Sequence, residues 1–149
     1  TRGIGAALAR ASRWGLEPGY VTNADSHVSL TVQIETADAV RNAHDIAAVD
    51  GVDAVFIGPA DLAGSMGHPG NPGHPDVVDA VDSTIRVVRD CGKPVGVNAF
   101  NPDDAARVRA AGASFVVVSA DVTLLAKGAT AALQEARPSA TAPASPDRY

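Results

Sequence analysis

The chain has 149 residues, the size of one ordinary domain, with 46% apolar residues, 19% charged residues and a net charge of −5. This composition can supply a core and excludes global disorder. A mildly acidic chain with no basic run is also unsuited to nucleic acid or to an anionic membrane surface. No apolar run reaches the roughly 18 residues of a membrane helix. The opening, Thr1-Arg2-Gly3-Ile4-Gly5, has neither an initiator Met nor the apolar segment of a signal peptide. The single cysteine, Cys91, excludes a disulfide within the chain and suits a reducing compartment, so a cytoplasmic location is expected.

In chain order, Gly3 and Gly5 read as a loop, followed by a short helix-like stretch from Ala6 to Arg13. Val28 to Ile34 is a predicted strand. Thr36 can cap a helix to about Val49, with Val40, Ala43, Ile46 and Ala47 on one side. Asp53 to Ile57 is the second strand. Asp61 to His74 reads as a long loop, punctuated by Gly64, Gly67, Gly70 and Gly73 with Pro69 and Pro72, and loops of that kind tend to be functional. Pro75 suits a first helical position, with Asp76 and Asp79 in the first turn and Val77, Val81, Ile85 and Val88 recurring at helical spacing. Pro94 to Ala99 is the third strand. Asn101-Pro102-Asp103-Asp104 starts another helix, which Gly112 stops. Ser114 to Ser119 is the fourth strand, and Asp121 is expected to cap a last helix to about Ala136. Residues 1–136 are thus read as one domain and 137–149 as a mobile Pro/Ala/Ser-rich tail.

Strands alternating with helices imply parallel pairing through right-handed crossovers. Four such units make half of an eight-stranded α/β barrel, which needs about 250 residues in full. A small open α/β sheet is the alternative. The first strand favours the barrel, because Val28, Leu30, Val32 and Ile34 alternate strictly with Ser29, Thr31, Gln33 and Glu35. An open sheet covered by helices on both faces would prefer apolar residues on both.

In α/β barrels the working residues sit at the C-terminal ends of strands. Glu35 ends the first strand, and Asp61 follows the second through Gly58-Pro59-Ala60. Two carboxylates brought together repel unless a cation lies between them, and hard oxygen ligands suit Mg²⁺ or Mn²⁺. Equally, each carboxylate can simply cap the helix that follows it. His68 and His74 raise a second possibility, since a mixed carboxylate–imidazole site would point to Zn or Fe. Against it, His74 precedes a helix start and His68 sits among flexible residues. His27 reads as a strand-edge residue and His44 as a helix residue. The two lysines are not placed for a Schiff base: Lys93 precedes a strand and Lys127 lies in the last helix. Carbonyl chemistry here would therefore need a metal ion as electron sink. There is no dinucleotide glycine fingerprint and no phosphate loop. Cys91 reads as packing rather than as a nucleophile.

Gln33-Ile34-Glu35-Thr36, Val49-Asp50-Gly51-Val52-Asp53, Phe56-Ile57-Gly58-Pro59-Ala60-Asp61-Leu62, and Gly70-Asn71-Pro72 with His74-Pro75 follow one another in order. Together they closely resemble the metal-dependent (class II) pyruvate aldolases, the 4-hydroxy-2-oxoheptanedioate and 2-dehydro-3-deoxyglucarate aldolase family. Arg2-Gly3-Ile4-Gly5 with Ala9 to Trp14 is similar to that family's loop before its fifth strand, so the resemblance runs from Arg2 to about Leu133. It implies that the chain is the C-terminal half of a (β/α)8 barrel and that Glu35 and Asp61 bind a divalent ion, Mg²⁺ or Mn²⁺, with Co²⁺ a third candidate. It further implies that Gln33 lies beside pyruvate and that the amides of Ala60 and Asp61 hold its carboxylate. The implied reaction is aldol cleavage or condensation of 4-hydroxy-2-oxo acids, giving pyruvate and an aldehyde through a metal-stabilised pyruvate enolate. The family's general-base His and pyruvate-binding Arg are expected upstream of Thr1. Homo-oligomers are expected too, with Val122, Leu124, Leu125 and Leu133 on a last helix exchanged between neighbours.

Asn98 departs from the family, whose members often carry an apolar residue there; it reads either as meeting a polar part of the aldehyde or, equally, as a solvated strand end. Ser119-Ala120-Asp121 replaces a more Gly-rich turn. Two other readings stand beside the aldolase: an acyl-thioester lyase of the citrate lyase β type, and a non-catalytic metal-binding half barrel. The Gly58-Pro59-Ala60-Asp61 loop favours the aldolase over the first. Addition of upstream sequence would separate the second, since a scaffold would gain no activity.

Overall fold

The computed structural model describes residues 3–137. Strands β1 (Thr31–Ile34), β2 (Ala54–Ile57), β3 (Val95–Asn98) and β4 (Phe115–Val117) form one parallel sheet in the order β1-β2-β3-β4. The helices are α1 (Tyr20–Asn23), α2 (Ala37–Arg41), α3 (Ala43–Ala48), α4 (Pro59–Ser65), α5 (Pro75–Asp90), α6 (Pro102–Ala111) and α7 (Asp121–Ala136). Each strand pairs with the next in sequence, without the reversal of strand order that marks a doubly wound sheet. Among the described residues, no helix is long and apolar enough to cross a membrane.

One face of the sheet carries the core. Ile34, Val55, Ile57, Val95 and Val97 are buried against Leu62, Val77, Val81, Ile85, Val88 and Val108 from the helices. The 16-residue α5 is central, starting at Pro75 with Asp76 in its first turn and burying the expected Val77, Val81, Ile85 and Val88. The other face is sparsely covered. Phe56 and Phe115 stack at 6.0 Å across β3, and Gly96 makes this possible, since a Cβ there would lie 2.1 Å from the Phe115 ring. Phe115 and Val117 remain 40% and 36% exposed.

Caps follow local chemistry. Thr36 accepts from the Ala39 amide and Asn101 from the Asp104 amide, and Gly112 closes α6 in the left-handed region at φ 108°. Other expectations need correction. Strand β1 starts at Thr31 rather than Val28, because its register with β2 begins at Thr31–Ala54 and leaves Val28 and Leu30 exposed. His27 is not at a strand edge; it ends a 3-10 turn (Ala24–His27) and stacks on Tyr20. The single helix expected after Thr36 is two, broken at Asn42, whose side chain bonds to the Asp38 carbonyl. The loop from Asp61 begins as helix α4, since Pro59 occupies its first turn and Leu62 and Ala63 are buried. The stretch Ala6 to Arg13 holds only a 3-10 turn, Arg10–Ser12, tied by the buried Ser12 hydroxyl to the Ala6 and Ala9 carbonyls. Asp121 is the first residue of α7 rather than its cap and accepts from the Val122 amide. The tail expected from residue 137 lies, after Arg137, outside the described residues.

Candidate active site

The C-terminal ends of β1 and β2 meet at Gly58. Its amide donates to the Ile34 carbonyl at 3.1 Å, which ties the residue after β2 to the last residue of β1. Glu35 leaves β1 at this point. Pro59 then turns the chain into α4, with Ala60 and Asp61 in its first turn. First-turn amides have no acceptor within their helix, so those of Ala60 and Asp61 are available to an anion. Buried Leu62 pins this turn to the core.

Glycine at position 58 leaves room for the carboxylates around it. A Cβ there would lie 3.1 Å from Glu35 Oε2, 3.3 Å from Glu35 Cβ and 4.0 Å from Asp61 Oδ2. Both carboxylates therefore lie on the same side of Gly58, Glu35 in close approach and Asp61 at the edge of contact. Gln33, two residues before Glu35 and on the same face of the strand, donates from Nε2 to Glu35 Oε2 at 3.3 Å. Glu35 is half-buried and Asp61 exposed, so water reaches both. Two oxygen ligands with the remaining positions open to solvent fit a hard divalent cation, and Gln33 orients one of them.

Asn98 ends β3 and lies elsewhere. With Ala60, Pro59, Pro72, Phe100 and Arg107 it lines a cavity of about 360 Å³. Gln33, Glu35 and Asp61 are not among the residues lining it. The expected site residues thus form two groups, Gln33–Glu35–Asp61 and Ala60–Asn98, joined through the Ala60–Asp61 peptide. Arg107 is engaged by Asp82 and, at 3.6 Å, by Asp104.

Lys93 is at the opposite end of the sheet, where Nζ donates to the Val52 carbonyl at 2.6 Å, and Lys127 lies in α7. Cys91 caps α5 and packs against the core. Sequence reasoning missed two features. One is Gly58 as the cradle of both carboxylates; its only signal is a glycine placed between a strand and a Pro-started helix. The other is Asp76 as the carboxylate that meets His68 and His74, the pair the sequence raised as ligands of a mixed site; the three ligand atoms all lie within 4.8 Å of one another.

The family model described as HpcH/HpaI aldolase/citrate lyase matches residues 2–128. A 4-hydroxy-2-oxo-heptane-1,7-dioate aldolase of Klebsiella pneumoniae is 49% identical over 130 residues, which are 87% of this chain and 49% of that protein. A hydroxypyruvate/pyruvate aldolase of Deinococcus radiodurans is 48% identical over 128 residues, 86% of this chain and 46% of that protein. The chain therefore spans about half the length of the curated relatives it matches. The crystal structure of an HpcH/HpaI aldolase/citrate lyase family protein from Burkholderia cenocepacia superposes with a TM-score of 0.79 at 40% identity, covering 91% of this chain and 52% of that one.

Proposed function

The chain belongs to the HpcH/HpaI aldolase/citrate lyase family, and on that premise we propose that it is the C-terminal half of a (β/α)8-barrel aldolase that cleaves 4-hydroxy-2-oxo acids to pyruvate and an aldehyde. The observation that carries this reading is the pair of carboxylates, Glu35 and Asp61, held against Gly58 at the C-terminal ends of neighbouring parallel strands. The half-barrel reading is supported by the unbroken sequential strand order, the open apolar face at Phe115 and Val117, and coverage of about half of each relative.

Glu35 and Asp61 would hold the divalent ion, Mg²⁺ or Mn²⁺ with Co²⁺ as a third candidate. When bound, such an ion supplies Lewis-acid stabilisation of negative charge developing on the pyruvate unit. The chain's own residues do the rest. Gln33 fixes the Glu35 carboxylate through its 3.3 Å hydrogen bond and stands beside the donor. The first-turn amides of Ala60 and Asp61 bind the pyruvate carboxylate, with the positive end of α4 behind them. The proton-transfer His and the pyruvate-binding Arg are assigned to the half of the barrel outside this sequence. Helix α7 buries none of its residues, and Val122, Leu124, Leu125 and Leu133 are exposed. That apolar surface fits homo-oligomer formation, and a small-molecule metabolic enzyme of this kind fits the cytoplasm.

The test is pyruvate release from a 4-hydroxy-2-oxo acid in Mn²⁺ and again in excess chelator. It is run on the chain and on the chain preceded by the first half of the Klebsiella relative. The joined form is expected to release pyruvate only without chelator. Chelator-resistant release, or none from a folded joined form, overturns the reading.

Asn98 is assigned to the aldehyde, because it shares its cavity wall with Ala60, the residue placed at the pyruvate carboxylate. In the joined form, Asn98→Leu should lower kcat/KM for a hydroxylated aldehyde by about tenfold, the value of one hydrogen bond of about 1.4 kcal/mol. A plain aldehyde should be little affected. Equal changes for both aldehydes would remove Asn98 from the site.

A further inference from the structure

We propose that His68, His74 and Asp76 form a second metal site, selective for a borderline transition ion of the Zn²⁺ class and separate from the carboxylate pair. The three residues lie on the segment between α4 and α5 and on the first turn of α5, not at the strand ends. Their ligand chemistry also differs: two imidazoles and one carboxylate suit Zn²⁺, whereas Glu35 and Asp61 offer only hard oxygen.

The segment is folded rather than loose. The His68 amide donates to the Ala63 carbonyl at 2.7 Å, the Asn71 amide to the His68 carbonyl at 3.0 Å, and the His74 amide to the Asn71 carbonyl at 3.1 Å. Gly67 and Gly70 take the left-handed φ values, 85° and 77°, that these successive turns need. The turns return His74 over His68, and the rings stack with centroids 3.5 Å apart.

Ligand atoms surround one point. His68 Nε2 and His74 Nδ1 each lie 3.7 Å from Asp76 Oδ2. Tetrahedral Zn²⁺ with bonds of about 2.1 Å separates its ligand atoms by about 3.4 Å, so the spacing is close to that of a filled site. His74 Nδ1 accepts from the Asp76 amide at 3.3 Å and caps α5; ligation through that atom exchanges this hydrogen bond for the ion, since the ring nitrogen has one lone pair. Ligation by both rings requires one of them to turn out of the stack about χ2, and both are partly exposed, with side-chain exposures of 27% and 32%. Water can fill the fourth position. The same segment contributes Pro72 to the cavity wall beside Ala60 and Asn98. An ion here would therefore clamp that wall by joining the segment to α5.

The proposal does not depend on the aldolase reading, and Zn²⁺ titration of the full chain by calorimetry tests it. Co²⁺ absorption in the visible range serves as a second readout of coordination. The Glu35→Gln, Asp61→Asn double variant, in which the hard-oxygen pair no longer competes for Zn²⁺, is expected to bind one equivalent. In that background His68→Ala and Asp76→Asn should each bind it at least about tenfold more weakly, with intense tetrahedral Co²⁺ bands lost. His27→Gln and His44→Gln should change neither readout. Zn²⁺ binding by the double variant that survives both His68→Ala and Asp76→Asn, or an absence of Zn²⁺ binding by the double variant, would overturn the site.

Discussion

Glu35→Gln is expected to abolish the thermal stabilisation that Mn²⁺ gives the chain and to leave the metal-free melting temperature unchanged or slightly raised. Glu35 Oε2 and Asp61 Oδ2 both lie within 4.0 Å of the place a Gly58 Cβ would take, and two carboxylates on one side of a backbone repel in the absence of a cation. Neutralising one at constant volume relieves that repulsion. The same change halves the negative charge offered to a dication, which should weaken its binding by about a hundredfold or more. A ligand present at a hundred times its Kd stabilises a fold by about 2.7 kcal/mol, and this increment is the one that disappears. Thermal melts of the unaltered chain and the variant, with and without Mn²⁺, make the measurement. If Glu35 and Asp61 only serve the helices behind them, Mn²⁺ will shift neither protein and Asp61→Asn will lower the melting temperature on its own, by the loss of a favourable charge at the start of α4 worth about 0.3–1 kcal/mol. An unaltered Mn²⁺ shift in Glu35→Gln would remove that residue from the metal site.

The sheet and the two carboxylates were legible in the sequence for different reasons. The sheet could be read because its outward positions, such as Ile34, Ile57 and Val97, are apolar whatever the exact strand ends, and their burial follows from composition alone. The carboxylates could be placed because Glu35 and Asp61 each follow an apolar run directly, which fixes them at one end of a parallel sheet. What failed was local and depended on tertiary contacts. Helix α4 was hidden in a stretch of Gly and Pro, because seven residues carry too little periodicity to show a helix. Val28 and Leu30 continue the alternation of β1, yet Asp53 Oδ2 takes the Leu30 amide at 2.6 Å and the ladder with β2 begins one residue later. Asn42 breaks the helix after Thr36 by bonding to its own backbone, a choice that helical periodicity does not record. The sequence raised His68 and His74 together as ligands of a mixed site, but their meeting with Asp76 depends on the turns at Gly67 and Gly70, which residue spacing does not show. The two groups of the site, Gln33–Glu35–Asp61 and Ala60–Asn98, separate for a related reason: strand ends give an address at one end of the sheet but not the direction in which a cavity opens.

Leu62→Ala should then lower stability by about 2–5 kcal/mol, the usual result of emptying a fully buried leucine site, and it should do so through the element that carries Asp61. Leu62 is 0% exposed, while the seven-residue α4 is too short to hold itself together. Its anchors are the burial of Leu62 and Ala63 and the Ser65 hydroxyl, which accepts from the Ala37 amide at 3.0 Å. Loss of the first anchor leaves the Leu62 and Met66 amides, bonded to the Gly58 and Leu62 carbonyls, to exchange early. Urea unfolding and amide exchange measure the two effects together. Leu62→Met, which conserves volume, should lose under about 1.5 kcal/mol and keep Mn²⁺ affinity. Leu62→Ala should lose affinity as well as stability, because the Asp61 carboxylate is placed by the turn that Leu62 secures. A Leu62→Ala protein that unfolds at the same urea concentration as the unaltered chain would show that α4 is held from elsewhere. One that is destabilised yet binds Mn²⁺ as before would show that the geometry of Asp61 is set by Gly58 and Pro59 alone, with the helix behind it dispensable to the site.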